Sequence, residues 1–300
     1  MKRRAFLHSA TALSLAAWPE SGRSAEPGAP LEVHPGTLPL VLSSPHGGRL
    51  RPADLPDRTT GVLSADRNTA ELTKALTKAV TTVFGAEPHR ILSCLHRIKL
   101  DPNREIDEAA QGHPVTGEIW QRYHDHIAGA CRTAVRTHGG AVLLDLHGHA
   151  HALRRVELGY LLSAEALTLS DARLAQSAEV RKCSLRRLPG ADGAGLVEAL
   201  RGPASLGAFL SREGYSAVPS PDLPAPGDHP YFQGGYTITH HVAADYGGPV
   251  LGIQIETPFP SVRGTPEERE HFAMVLARAL KSWMEQHLLN TSDPKIRLPS

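Results

Sequence analysis

HGGAVLLDLHGHA, residues 138–150, sets an apolar run, Ala141 to Leu144, directly against Asp145, His147 and His149. A short apolar run behind a glycine pair fits a strand buried on both faces, as in a parallel sheet. Ending such a strand on an acid and two imidazoles is costly unless those groups are paired or hold a metal ion. The stretch therefore predicts a central strand over 141–146 whose carboxyl end carries chemistry, with partners supplied from elsewhere in the chain.

Further strands are expected at LPLVLSS (38–44), RILSCLHRIKL (90–100), VELGYLLS (156–163) and PVLGIQIE (249–256). Between them, apolar residues recur at helical spacing over 66–84, 115–137, 195–213 and 265–288. PSPDLPAPGDHP, 219–230, reads as a loop on composition. Strands alternating with helices long enough for crossovers predict an α/β domain, a mostly parallel twisted sheet with helices on both faces. No composition break divides the chain, so one domain is expected over 39–290, preceded by a Pro- and Gly-rich linker over 26–38.

The 300 residues carry a formal net charge of +1, with Lys and Arg dispersed. That balance gives no basic face for nucleic acid. Three cysteines with no Cys-x-x-Cys spacing define neither a zinc finger nor a disulfide framework, and Cys131 falls on the apolar face of an expected helix. Arg3 and Arg4, followed by Phe6, Leu7 and a short apolar stretch, look like a twin-arginine export signal over residues 1–25, cleaved after Ala17 or Ala25. The stretch is too short and interrupted to anchor the chain in a membrane. A working signal predicts a periplasmic protein; otherwise the segment is a basic terminus on a cytoplasmic one.

Three expected strands end alike: at SSPHGG with His46, at DLHGHA with His147, and at QIETP with Glu256. Ligands of parallel sheets bind beyond the carboxyl ends of the strands, so these side chains are candidates to converge. Two imidazoles and a carboxylate are a common catalytic zinc shell, leaving one position open for water. A separate carboxylate then has to move the proton of that water. Asp66 is the best-placed third ligand, although Ser64 or Asp66 equally suits the N-cap of the helix that follows. In DPNRE, Arg104 suits bidentate grip of a substrate carboxylate and Asn103 suits its orientation, the alternative for Arg104 being a surface ion pair. Asp145 projects to the same side as His147 and either steadies that imidazole or bonds backbone amides. His149 and His151 are spare candidates. No Gly-x-Ser-x-Gly elbow occurs, so a serine hydrolase finds no support.

SSPHGG, Asp66, LDPNR, LLDLHGHA, YFQGGYTITHH and IQIE occur in that order over residues 43–256. Together they resemble the N-formylglutamate amidohydrolases, whose fold is similar to that of zinc carboxypeptidases. The resemblance implies one zinc ion on His46, Asp66 and His147, with Glu256 as general base. It also implies that Asn103 and Arg104 meet the substrate, and that Gly234, Gly235, Tyr236 and His240 line the site. His240 would bond the oxyanion or the acyl group unless it is a structural imidazole in a loop. Ala65-Asp66 replaces the acidic pair often found at the third-ligand position, and DLHGHA replaces Asp-x-His-Ser. The implied activity is metal-dependent amide hydrolysis of an N-acyl amino acid or small peptide bearing an anionic group. An exported peptidase acting on cell-wall stem peptides is the alternative within this class. A non-catalytic periplasmic zinc- or solute-binding protein is the alternative outside it.

Overall fold

The computed structural model describes residues 28–189, 192–289 and 296; the twin-arginine segment and both cleavage positions lie outside the described residues. In chain order the elements are β1 (Leu31–His34), β2 (Leu40–Ser44), α1 (Thr69–Phe84), β3 (His89–Ser93), α2 (Ile106–Ala110), α3 (Pro114–His138), β4 (Ala141–His149) and β5 (Val156–Gly159). They continue with α4 (Ala164–Leu167), α5 (Asp171–Gln176), α6 (Gly193–Arg201), α7 (Leu206–Arg212), β6 (Ala217–Val218), α8 (Tyr236–Ala243), β7 (Val250–Pro258) and α9 (Pro266–Met284).

A single seven-stranded sheet takes the order β1-β3-β2-β4-β7-β5-β6. Its centre, β3-β2-β4-β7, is parallel; β1 and β5 join antiparallel, and β6 pairs parallel with β5. Strand alternation divides the apolar residues between two layers. Val142, Leu144 and Leu146 of β4 pack with Leu72, Leu76 and Val80 of α1 and Leu276 and Trp283 of α9. Ala141 and Leu143 face the other way, toward Tyr123, Ile127 and Cys131 of α3 and Ile238 of α8. The expected α/β architecture, helices on both faces of a mostly parallel sheet, is the one found. No helix among the described residues is long and apolar enough to cross a membrane.

Several boundaries differ from expectation. The supposed linker, 26–38, contains β1, whose Glu32 pairs with Leu92 and forms an ion pair with Arg90 of β3 at 2.7 Å. Pro and Gly at its ends masked a four-residue edge strand. The expected helix over 195–213 is two helices, because Gly202-Pro203 breaks the pattern between α6 and α7. The strand expected over 90–100 stops at Ser93, and Leu95 instead makes a bridge with Leu50.

His89, on β3, is buried, and its Nδ1 accepts the backbone N–H of Gly36 at 3.1 Å. Burial, with His138 and His34 nearby, lowers its pKa to about 4. The unfolded chain therefore takes up this proton first, at an ordinary histidine pKa of about 6.5. The stabilisation by neutral His89 is complete above that pH. It is lost as pH falls toward about 4, by up to about 1.4 kcal/mol per pH unit. Urea unfolding between neutral pH and the acid end of this window should show a shallower pH slope for His89→Asn than for the wild type.

Candidate metal centre

Each side chain of the constellation is set at the carboxyl edge of the sheet by the element that precedes it. β2 runs into Pro45 and His46, β4 carries Asp145 and His147, and β7 carries Gln254 and Glu256. His147 and Glu256 are register partners on adjacent parallel strands. The segment after β3 brings Asp101 and Asn103, and the turn before α1 brings Asp66.

His46, Asp66 and His147 meet in a triangle. His46 Nδ1 and His147 Nδ1 are 3.1 Å apart, and Asp66 Oδ2 lies 3.3 Å from the first and 3.4 Å from the second. Donors at 2.0–2.2 Å around a tetrahedral zinc are separated by about 3.3 Å, so the three atoms fit a single such ion. The far nitrogen of each ring is also committed. His46 Nε2 is 2.6 Å from Asp101 Oδ1 and His147 Nε2 is 2.7 Å from Asp145 Oδ2. A carboxylate behind each imidazole fixes the ring and leaves Nδ1 to face the centre. Asp145 is held in turn by Ser43, whose hydroxyl donates to Oδ1 at 2.6 Å. Asp101 accepts from Arg97 Nε at 2.8 Å.

Asp66 does not cap α1. The N-cap is Asn68, with no side-chain cap bond, and Asp66 Oδ2 instead accepts the N–H of Gly148 at 3.1 Å. Burial would raise its pKa, but His46 and His147 hold it well below the ordinary range. Burial opposes a charge on His147, yet Asp145 and Asp66 raise its pKa well above that of a free imidazole. A cation entering the triangle therefore displaces a proton. Gly148 is required by close approach: a Cβ there would lie 2.1 Å from Cζ of Arg263. The Arg263 guanidinium bonds the carbonyls of Thr257 at 3.1 Å, His149 at 3.2 Å and Arg67, tying the ends of β4 and β7 together.

Glu256 sits beside the triangle with Oε1 4.0 Å from His147 Nδ1 and accepting from Gln254 Nε2 at 3.0 Å. Its Oε2 is buried without a hydrogen-bond partner among the described residues. Burial pushes its pKa up to about 8; His147 opposes the shift, while Asp66 and Glu157 add to it. A proton-accepting group poised in that range suits acid–base work near neutral pH.

A cleft of about 510 Å³ opens over these groups, lined also by Arg97, Asn103, Arg104, Gly234 and Gly235. Asn103 Oδ1 accepts from Thr237 N at 2.8 Å, which turns Nδ2 toward His147 Nε2, 3.4 Å away. A Cβ on Gly235 would strike Asn103 Nδ2 at 2.3 Å, so glycine there lets the two segments touch. Arg104 borders the cleft, and its Nε pairs with Glu108 at 3.2 Å. Tyr236 and His240 are not brought to the cleft wall. The expected loop is instead α8, and on it Tyr236 Oη and His240 Nδ1 are 3.1 Å apart.

His149, His151 and Glu157 form a second group with donor atoms within 4.8 Å of one another. Its atoms are already matched, since His149 Nδ1 accepts from His151 N and His149 Nε2 donates to the Arg155 carbonyl. Asp101 and Gln254 were not among the expected site residues. Asp101 directly precedes the Pro102-Asn103-Arg104 stretch already singled out, and Gln254 precedes Glu256 by the two-residue strand period; both signals were legible. If Asp101 steadies His46, Asp101→Asn should weaken zinc affinity by about 10–100-fold, read by competition with a chelating dye.

Fold and donor triangle together define a single-sheet α/β protein with a candidate metal centre at its strand ends. Among solved structures it is similar to an N-formylglutamate amidohydrolase from Ralstonia eutropha JMP134, with TM-score 0.50 and 16% identity over 84% of this chain and 99% of that one. A gene product of Agrobacterium tumefaciens matches with TM-score 0.48 and 13% identity, over 85% of this chain and 95% of that one. No protein-family model and no curated protein matches the chain. At this identity the first likeness is one of fold: the chain has the fold of an N-formylglutamate amidohydrolase.

Proposed function

We propose that this chain is a zinc-dependent hydrolase of the amide C–N bond in an N-acyl amino acid or small peptide bearing an anionic group. The observation that carries the proposal is the triangle of His46 Nδ1, His147 Nδ1 and Asp66 Oδ2, backed by two carboxylates and flanked by the unpartnered Glu256 Oε2. A zinc ion held there supplies a Lewis acid for the scissile carbonyl and water of pKa about 7. Glu256 takes the proton of the attacking water at Oε2 and delivers it to the amide nitrogen as the C–N bond breaks. Asn103 donates from Nδ2 to a substrate oxygen, and Arg104 holds the anionic group. The products are a carboxylic acid and an amine.

N-formylglutamate, the substrate named for the structural neighbour, is the first compound to assay, followed by other N-acyl amino acids and short peptides with the sequence of cell-wall stems. Amine release that chelation abolishes and zinc restores is the expected result; no turnover across the panel with zinc bound would overturn the proposal. The Arg3-Arg4 segment supports export of the folded chain to the periplasm, which fractionation of cells expressing wild type and an Arg3→Lys, Arg4→Lys variant would test.

A further inference from the structure

Phe232 is 44% exposed, yet it is not a loose surface residue. Its ring lies almost parallel to that of His151, with centroids 4.8 Å apart and planes at 16°. His151 in turn lies against His149 at 4.8 Å and 34°, and all three rings border the cleft. A fully buried carboxylate builds this ladder. Glu157 Oε1 accepts from His151 Nδ1 at 2.9 Å, and Oε2 accepts the Phe232 backbone N–H at 2.9 Å.

The segment leading to Phe232 is pinned at further points. Arg155, buried beside Glu157 at 3.6 Å, donates to the carbonyls of Pro226 at 3.4 Å and Pro230 at 3.2 Å. The Tyr231 hydroxyl donates to the Leu158 carbonyl at 2.7 Å. Glu157 on β5 is the register partner of Glu256 on β7, so the ladder stands one strand, about 5 Å, from the proposed base.

We propose that Phe232 and His151 form a stacking subsite that selects substrates carrying a planar ring, aromatic or imidazole, on either side of the scissile amide. A large ring fixed in place at the wall of a wet cleft gains from covering its exposed face, and offset-stacked rings attract beyond the area they bury. Its orientation is set before the substrate arrives, so little ordering is lost on binding. The inference rests on the hydrolase proposal for the reaction but not for the stacking.

The test uses the zinc-loaded full chain. N-Acetyl-phenylalanine carries the ring on the amine side and N-benzoyl-alanine on the acyl side; N-acetyl-leucine and N-acetyl-alanine are the ringless controls. A ring on at least one side should raise kcat/KM about tenfold over its control, mainly through KM, and the favoured arm identifies the side. Phe232→Ala should bring that ratio close to one and Phe232→Trp should keep it. Equal kcat/KM for ring and control in the wild type, or a ratio unmoved by Phe232→Ala, overturns the subsite while leaving the hydrolase intact. If none of the four is hydrolysed, the hydrolase proposal is decided by the wider panel above, and calorimetric titration of the same pairs decides the subsite. Binding about tenfold tighter for a ring, lost in Phe232→Ala, supports it, and equal affinity overturns it.

Discussion

Glu256→Gln lowers kcat by about 10²–10⁴-fold while zinc content and unfolding midpoint stay near those of the wild type. The substitution keeps the shape of the side chain and the contact with Gln254, and removes only the capacity to take and return a proton. Loss on this scale follows because Glu256 is the one carboxylate beside the triangle with a buried oxygen unpartnered among the described residues. Asp66 and Asp101 are engaged with imidazoles at 3.3 and 2.6 Å. Stopped-flow or coupled amine-release kinetics on a responsive substrate reads the effect. A Gln variant with wild-type turnover would overturn the assignment of Glu256 as the base.

His46→Ala and His147→Ala each reduce bound zinc from near one ion per chain to near none at micromolar free metal. Either change removes one of three donors and leaves a buried carboxylate, Asp101 or Asp145, without its imidazole. Removing one partner of a buried charge is itself costly, although Arg97 still bonds Asp101 and Ser43 still bonds Asp145. Thermal unfolding therefore has to accompany elemental analysis, and His149→Ala serves as the comparison. Its ring belongs to the neighbouring cluster, so its zinc content stays at the wild-type level. Equal loss in all three variants would mean general unfolding in place of ligand removal.

The strand cores announced themselves because segments buried on both faces are largely apolar, as Ala141–Leu144 and Val250–Ile253 are. Short or edge elements did not: β1 and β6 bury too few residues to leave a pattern, and α8 begins behind Gly234-Gly235, which reads as a loop. At the centre, His46, His147 and Glu256 were legible because each lies just beyond an apolar run. Asp66 was ambiguous because an acid before a helix is ordinarily a cap, and only the approach of Gly148 N distinguishes the two uses. The aromatic ladder was beyond reach. Phe232 meets His151 only because Glu157, 75 residues away from Phe232, binds both segments.

The most direct measurement is a crystal structure of the zinc-soaked chain with diffraction collected across the zinc absorption edge. One anomalous peak about 2.0–2.2 Å from His46 Nδ1, His147 Nδ1 and an Asp66 carboxylate oxygen is the predicted result. A peak at His149, His151 and Glu157, or none at the triangle from a protein that still hydrolyses its substrate, would contradict it.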